Sequence, residues 1–130
     1  MYKLYIYINM EKEQKKNLNK IDSSQKLAKL IKENTCVIIK ISASWCGPCK
    51  NKEFLNNYHG LKDKFSSYNN IKFVELDIDE NSDMIEDKSY YNIEINSVPT
   101  FMIAKNGNFT RKYEGTSHLG FIYKYLSESV

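Results

Sequence analysis

Apolar residues along this chain recur in two patterns, one typical of buried strands and one typical of amphipathic helices. The run from Cys36 to Ile41 is largely apolar and β-branched, and it is too short for an ordinary helix. It therefore predicts a strand that is buried on both faces. Further along, apolar residues are spaced three and four apart, which predicts one face of a helix. These residues are Phe54, Leu55, Tyr58, Leu61 and Phe65.

The chain before the buried strand is predicted to form a short strand and a helix. The strand is expected around Leu18 to Ile21, after a polar and charged stretch. Ser23 or Ser24 then caps a helix that ends near Asn34. Its apolar face carries Leu27, Leu30 and Ile31.

The chain after the long helix predicts a second strand and a short helix. Residues 71–79 are mostly apolar and indicate another buried strand. A helix separates the two strands, so they should pair in parallel. Ser82 is expected to cap the short helix that follows.

The C-terminal part predicts a hairpin and a final helix. Residues 95–101 read as a strand with Pro99 near its head, where proline is tolerated only at an edge or at a first residue. Asn106-Gly107 joins 100–105 to 109–113 and is the strongest hairpin signal in the chain. Thr116 or Ser117 should then cap a helix. Its apolar face carries Leu119, Ile122, Tyr123 and Leu126.

Length, charge and cysteine content narrow the class of protein. A chain of 130 residues is one domain that can bury a core without disulfide staples. The net charge of +3 comes from 19 basic and 16 acidic residues that are spread along the chain. This argues against nucleic acid or a membrane surface as the main partner. Three cysteines, of which two are close together, indicate redox-active thiols in a reducing compartment.

The first residues allow several interpretations. Residues 1–10 alternate loosely between apolar and polar, and they could form an extra strand, an arm or part of a targeting segment. As a signal peptide they are poor, because Lys3 and Asn9 interrupt the apolar stretch and no small-residue cleavage site follows. Met10 is an alternative start. We therefore expect an N-terminal extension over 1–15 and a folded domain over 16–130.

Cys46 and Cys49 carry the candidate chemistry. They lie in Trp45-Cys46-Gly47-Pro48-Cys49, where the buried strand is predicted to turn into the helix. A thiol there meets unpaired N–H groups and the positive end of the helix dipole, which favour the thiolate. We therefore expect Cys46 to be the exposed, reactive thiol and Cys49 the shielded one. Their spacing brings them within reach of each other, so the pair can close a reversible disulfide.

A metal site is a weaker interpretation of the same motif. Zinc ribbons also carry Cys-x-x-Cys, but they need a second pair of ligands. His59, His118 and Cys36 share no ligand-like spacing with the motif, so we expect no metal. Cys36 is interpreted as a small buried hydrophobe, with a regulatory or dimer-forming thiol as the alternative.

Several motifs in the same order resemble the thioredoxin family. The match runs from about Ile21 to the C-terminus. It depends on Trp45-Cys46-Gly47-Pro48-Cys49-Lys50, Asp77-Ile78-Asp79, Ser97-Val98-Pro99-Thr100-Phe101, Lys105-Asn106-Gly107 and Gly115. The resemblance implies an α/β thioredoxin fold, a central mixed β-sheet flanked by helices on both faces.

The resemblance also implies a function. It implies a monomeric thiol-disulfide oxidoreductase that reduces disulfides of client proteins and needs no cofactor of its own. An NADPH-dependent flavoprotein, thioredoxin reductase, would recharge it. Cys46 would attack the client disulfide and Cys49 would resolve the mixed disulfide. The cytoplasm is the expected compartment, or an organelle if the N-terminal extension is a targeting segment. The alternative is a binding module that holds a partner in an assembly, with secondary redox activity.

Substrate-binding residues follow from the same resemblance. Pro99 matches the family's cis-proline beside the cysteines, where neighbouring backbone groups stay free to pair with an extended substrate. Gly-Pro between the cysteines resembles the reductase members. A shallow apolar groove would be lined by Trp45, Val98 and Gly115, so the expected substrate-binding set is Trp45, Gly47, Pro48, Val98, Pro99 and Gly115.

Lys40 is the main departure from the family. Members commonly carry a buried aspartate six residues before the first cysteine, where it accepts the proton of the second. A lysine in a buried strand is costly unless its charge is neutralised. Glu75 occupies a place where some members carry a lysine, so we expect it to pair with Lys40 and to act as proton acceptor for Cys49. The alternative is that Lys40 extends to the rim and Glu75 is solvated.

Overall fold

The computed structural model describes residues 21–130, in which one mixed sheet lies between two layers of helices. The predicted extension over 1–15 and most of the strand expected near Leu18 lie outside the described residues. The elements in chain order are α1 (Ser24–Glu33), β1 (Cys36–Ser42), a 3-10 helix (Pro48–Lys50), α2 (Lys52–Phe65), β2 (Ile71–Asp77), α3 (Ser82–Glu86), β3 (Thr100–Lys105), β4 (Asn108–Glu114) and α4 (Leu119–Ser129).

The described strands are ordered β2-β1-β3-β4. Strand β2 runs parallel to β1, while the pairs β1–β3 and β3–β4 are antiparallel. This arrangement confirms the predicted central mixed sheet with helices on both faces. No helix within residues 21–130 is long and apolar enough to cross a membrane.

Strand β1 is the centre of the fold because its side chains alternate between two cores. Val37, Ile39 and Ile41 lie in the core that α1 and α3 cover. Cys36 and Ile38 lie in the opposite core, which α2 and α4 cover. All its residues except Ser42 are buried, which confirms the prediction of a strand buried on both faces.

The two longer helices of the N-terminal half form as their apolar spacing predicts. Helix α1 is capped by Ser23, whose side chain accepts a hydrogen bond from the N–H of Lys26 at 3.2 Å. It ends at Asn34, as expected. Helix α2 buries Phe54, Tyr58, Leu61 and Phe65, all of which belong to the predicted face.

The predicted hairpin is confirmed. Asn106 and Gly107 have φ angles of 52° and 88°, in the left-handed region that this pair of residues tolerates best. The N–H of Asn106 also donates to the Thr35 carbonyl at 2.9 Å, which fixes the turn against the start of β1.

Strand β2 is shorter than predicted, ending at Asp77 rather than Asp79. The Asp77 carboxylate accepts hydrogen bonds from the N–H groups of Asp79 at 2.8 Å and Glu80 at 3.1 Å. Such local bonds divert the backbone from the strand into a turn. Ile78 therefore lies in a loop rather than in the sheet.

The predicted strand over 95–101 is wrong in its first half, because β3 begins only at Thr100. The Thr100 hydroxyl donates to the Ser97 carbonyl at 2.6 Å, which holds the preceding residues in a bend. The chain from Asp87 to Pro99 is irregular.

Two predicted helix caps are also wrong. Helix α3 is capped at Asn81 rather than Ser82, and α4 at His118 rather than Thr116 or Ser117. The Asn81 side chain accepts a bond from the N–H of Asp77 instead of capping its own helix. His118 likewise makes no side-chain hydrogen bond that caps its helix.

Candidate redox site

Cys46 and Cys49 form a disulfide at the carboxyl end of β1, with their Cα atoms 5.3 Å apart. The N–H of Cys46 donates to the Ala43 carbonyl at 3.1 Å, so the chain turns sharply after the strand. The N–H of Cys49 lies 3.2 Å from Cys46 Sγ. A backbone donor at that distance stabilises negative charge on the sulfur. After reduction, this geometry favours the thiolate at Cys46.

The structure divides the helix that the sequence predicts after the cysteines. Cys49 lies in the 3-10 helix, and α2 begins only at Lys52. Asn51 separates the 3-10 helix from α2, with a ψ angle of 127° that is not helical. Its side chain accepts a hydrogen bond from the N–H of Phe54 at 3.0 Å. The donor to Cys46 Sγ therefore comes from the 3-10 helix rather than from the first turn of α2.

The two cysteines do not differ in exposure as predicted. Cys46 is 4% exposed and Cys49 is 6% exposed, so the expected contrast between an exposed and a shielded thiol is wrong for the disulfide form. They differ in their surroundings instead. Among the described residues, Cys46 lines a surface groove and Cys49 does not.

This groove, which we call the redox groove, has a volume of about 360 Å³. Five expected site residues line it: Trp45, Cys46, Gly47, Pro48 and Val98. Sequence reasoning did not assign a site role to the other four lining residues, Ile78, Ile95, Asn96 and Ser97. Because Ile78 and Ile95 fall within strands predicted from the sequence, no sequence signal indicated that they line a groove.

Pro99 and Gly115 lie beside the redox groove and support it. The Val98-Pro99 peptide bond is cis, as predicted. Pro99 is buried, and its carbonyl accepts the N–H of Gly115 at 2.8 Å. Gly115 has a φ of 93°, which glycine adopts far more readily than other residues. Neither Pro99 nor Gly115 is among the described residues that line this groove.

Val98 brings a backbone acceptor to the reactive sulfur. Its carbonyl oxygen lies 3.6 Å from Cys46 Sγ. When Cys46 is a thiol, its S–H group can donate to this oxygen. The loop before Pro99 therefore contacts the disulfide directly.

Trp45 forms one wall of the redox groove although its side chain is 67% exposed. Its indole N–H donates to Asp79 Oδ2 at 2.8 Å. Asp79 is in turn held by the bond from its own N–H to the Asp77 carboxylate. The loop after β2 thus fixes an exposed aromatic ring beside the cysteines.

Lys40 and Glu75 form the predicted pair. They lie opposite each other in the β1–β2 register, with Lys40 Nζ 3.1 Å from Glu75 Oε1. The Lys40 side chain is only 7% exposed, so the alternative in which it reaches the rim is wrong. Its ammonium also lies 4.4 Å from the centroid of the Tyr58 ring, within range of a cation–π contact.

The charges around Glu75 keep its carboxylate ionised at neutral pH. Partial burial of Glu75 acts to raise its pKa, but the hydrogen bond and charge of Lys40, helped by Lys62 and His59, leave the pKa below its usual value. Burial, with a smaller effect of Glu75, raises the pKa of Tyr58, so that phenol stays neutral. Neither Lys40 nor Glu75 lines the redox groove within the part of the chain that the structure describes.

Cys36 lies at the other end of β1, fully buried and without a disulfide. Burial raises the pKa of its thiol, against smaller opposite effects of Ser129 and Lys105. A thiol in this state is unreactive, which agrees with the interpretation as a small hydrophobe. Within residues 21–130, no three His, Cys, Asp or Glu side chains are grouped so as to hold a metal ion.

A helix-flanked mixed sheet that carries a Cys-x-x-Cys disulfide at the end of its central strand, beside a cis-proline, defines a thiol-disulfide oxidoreductase.

Comparison with known proteins gives the family. The family model described as Thioredoxin matches residues 14–128. The mitochondrial thioredoxin-3 of Saccharomyces cerevisiae is 30% identical over 101 residues, which cover 78% of this chain and 72% of that protein. The thioredoxin of Mus musculus is 37% identical over 82 residues, which cover 62% of this chain and 68% of the relative. The chain belongs to the thioredoxin family.

Solved structures agree with this assignment. The crystal structure of oxidised mitochondrial thioredoxin 3 from Saccharomyces cerevisiae matches with a TM-score of 0.67 at 26% identity, covering 83% of this chain and 92% of that one. The solution structure of oxidised thioredoxin from Plasmodium falciparum matches with a TM-score of 0.63 at 28% identity. The match covers 82% of this chain and 94% of that one. The fold predicted from the sequence is therefore confirmed.

Proposed function

We propose that the protein reduces disulfides of client proteins, with Cys46 as the nucleophile and Cys49 as the resolving thiol. The observation that carries this assignment is the asymmetry of the pair. Cys46 lines the redox groove, and its Sγ accepts a hydrogen bond from the N–H of Cys49. Cys49 does not line the groove and lies in the 3-10 helix.

The reaction has two exchange steps. The Cys46 thiolate attacks one sulfur of the client disulfide, so that a Cys46–client bond forms and the client S–S bond breaks. The client sulfur that leaves takes up a proton. Cys49, after losing its proton, attacks Cys46 Sγ and releases the second client thiolate. The client gains two electrons, and the protein is left with the Cys46–Cys49 disulfide.

Trp45, Gly47, Pro48 and Val98 are proposed to contact the client segment, because they surround Cys46 in the redox groove. Pro99 and Gly115 would act by holding this surface in place through their hydrogen bond. Glu75 is proposed to accept the Cys49 proton through water, with Lys40 keeping it ionised. A carboxylate with a lowered pKa is a weak base, so this step should be slow.

Recharging is proposed to come from an NADPH-dependent thioredoxin reductase, with disulfide-containing proteins as clients. We expect NADPH oxidation only when the reductase, this protein and a disulfide-bonded protein are all present. A spectrophotometric assay at 340 nm measures it, with the Cys46→Ser/Cys49→Ser variant as control. If the protein, reduced chemically beforehand, binds disulfide proteins without converting them to thiols, it is a binding module and the proposal is wrong.

We further propose that the domain acts as a monomer in the cytoplasm. One relative is named as a mitochondrial thioredoxin, which makes an organelle the alternative compartment. The proposed extension over residues 1–15 would then contain the targeting signal. Fluorescent fusions with and without these residues distinguish the two compartments.

A chain that starts at Met10 should retain full reductase activity. The redox pair and every residue of the redox groove lie between Trp45 and Val98, and the described fold begins beyond residue 20. Activity of the shortened and full chains is compared in the assay above, with thermal unfolding as the check on folding. A shortened chain that stays folded but loses activity would contradict this prediction.

A further inference from the structure

A groove of about 520 Å³ lies at the end of the sheet opposite the cysteines, and we call it the far groove. Helix α1, the irregular segment before β3 and the β3–β4 turn form its walls. The turn residue Asn106 is bonded to Thr35 at the start of β1, whereas Cys46 follows the end of that strand. A strand of seven residues spans about 20 Å, and no described residue lines both grooves. A ligand in the far groove would therefore lie away from the redox pair.

Aromatic rings form a corner in the far groove. The rings of Tyr91 and Phe109 lie 6.0 Å apart and are nearly perpendicular, at 87°. Both side chains are only partly buried, and the neighbouring Tyr90 is 51% exposed. A flat ring that stacks on one wall of this corner meets the other wall edge-on, and both arrangements are favoured between aromatic groups. The volume is within the range of small-molecule sites, so the corner fits a planar heteroaromatic ligand.

The amide side chains around this corner are unpaired. Asn92, Asn106 and Asn108 line the far groove, and among residues 21–130 their side chains take part in no hydrogen bond. An amide offers a donor and an acceptor side by side, which is the arrangement that pairs with N6 and N7 of adenine. Free amides beside aromatic walls therefore favour an adenine base.

The charge of the lining favours an anion. Lys32 is the only charged side chain among the described lining residues, so no carboxylate competes for its ammonium there. It lies in the last turn of α1 and forms no ion pair within the described part of the chain. Its ammonium is therefore available to a phosphate group.

We propose that the far groove binds an adenine mononucleotide. The base lies in the corner of Tyr91 and Phe109, and Tyr90 covers its open face. The asparagine amides bond to the edge of the base, and Lys32 pairs with the phosphate. Binding at this site does not depend on Cys46 or on disulfide exchange.

Isothermal titration calorimetry of the full chain in its disulfide form, with adenosine monophosphate as the ligand, tests the proposal. We expect one site per chain with a Kd below about 1 mM. Adenosine lacks the phosphate and should bind about fivefold more weakly at low ionic strength. Ribose 5-phosphate lacks the base and should bind at least about tenfold more weakly. Cytidine monophosphate keeps the charge but lacks the adenine edge, so it should also bind about tenfold more weakly.

Two substitutions at exposed residues separate the contacts to the base from the contact to the phosphate. Tyr90→Ala should weaken binding of adenosine monophosphate and of adenosine by about tenfold each. Lys32→Gln should weaken binding of the nucleotide about fivefold and leave binding of adenosine unchanged. Tyr68→Ala and Lys29→Gln are the matched controls, because both residues are exposed and neither lines the far groove. Thermal unfolding checks that each variant stays folded.

Several results would overturn the proposal. They are the absence of saturable binding, equal binding of cytidine monophosphate or ribose 5-phosphate, and control substitutions that weaken binding as much as Tyr90→Ala. Binding only to a chain that starts at Met10 would show that residues 1–9 occupy the groove. A dimer in analytical ultracentrifugation that dissociates on Tyr90→Ala would show that a second copy occupies it. Either result would also overturn the proposal, and neither would affect the proposed disulfide reduction.

Discussion

A Cys49→Ser variant will accumulate mixed disulfides with client proteins, and a Cys46→Ser variant will not. The groove gives a client disulfide access to Cys46 Sγ, so removing Cys49 stops the reaction after the first exchange. Removing Cys46 removes the nucleophile itself. Disulfide reduction should fall by on the order of 10³-fold or more in each variant, because the two thiols act as a unit.

Non-reducing electrophoresis of each variant, incubated with an oxidised protein, measures the trapped species. Cys36→Ser is the matched control, because Cys36 is buried at the opposite end of β1. It should trap nothing and retain activity. Equal trapping by the Cys46→Ser and Cys49→Ser variants would overturn the assignment of roles.

The elements that the sequence predicts well are those set by local pattern. Apolar spacing predicts the buried face of α2, and the Asn106-Gly107 pair predicts the hairpin, because each of these features depends on nearby residues. The cysteine pair is predictable for the same reason. Its spacing and its position after a buried strand are both visible in the chain.

The features that the sequence does not predict depend on distant contacts. Ile78 and Ile95 come from two loops that are separate in the chain, and only the fold brings them together in the groove. The similar exposure of the two cysteines follows from the disulfide and the surrounding loop.

Predicting the Lys40–Glu75 pair from the sequence required a comparison of positions on two different strands. Burial of a lysine indicated that a partner was needed, but the partner could be named only from its place in the family pattern. The parallel register that puts the two residues opposite each other confirms the pairing. The register does not test proton transfer, so the role of Glu75 as proton acceptor stays a proposal.

A Glu75→Gln variant is expected to be less stable than the unaltered protein. The substitution leaves the buried ammonium of Lys40 without its carboxylate partner. In the unaltered protein, Lys40 Nζ lies 3.1 Å from Glu75 Oε1. Because the Glu75 side chain is 51% exposed, solvent screens part of this loss, and we expect about 1–2 kcal/mol. Glu33→Gln is the control, since its contact with Lys29 is 3.9 Å long and well exposed. It should change stability by less than about 0.5 kcal/mol.

The loss of stability in Glu75→Gln should depend on pH. The pKa of Glu75 is lowered on folding, so its ionised form stabilises the protein fully above its ordinary pKa of 4.5. This contribution disappears as the pH falls through the folded-state pKa. Urea unfolding should therefore show the full difference between the two proteins at pH 7 and little difference at the lowest pH where both still fold. A constant difference at every pH would mean that the effect is not due to the charge.

The same variant tests whether Glu75 accepts the Cys49 proton. If it does, Glu75→Gln should slow resolution of a preformed Cys46 mixed disulfide by about tenfold or more and leave formation of the mixed disulfide unchanged. Stopped-flow release of the client thiol measures resolution, and a Lys40→Met/Glu75→Gln variant separates the two roles of Glu75. The double variant has no unpaired buried charge, so it should recover stability while resolution stays slow. Recovery of both would show that Glu75 acts only by neutralising Lys40, and that another group accepts the proton.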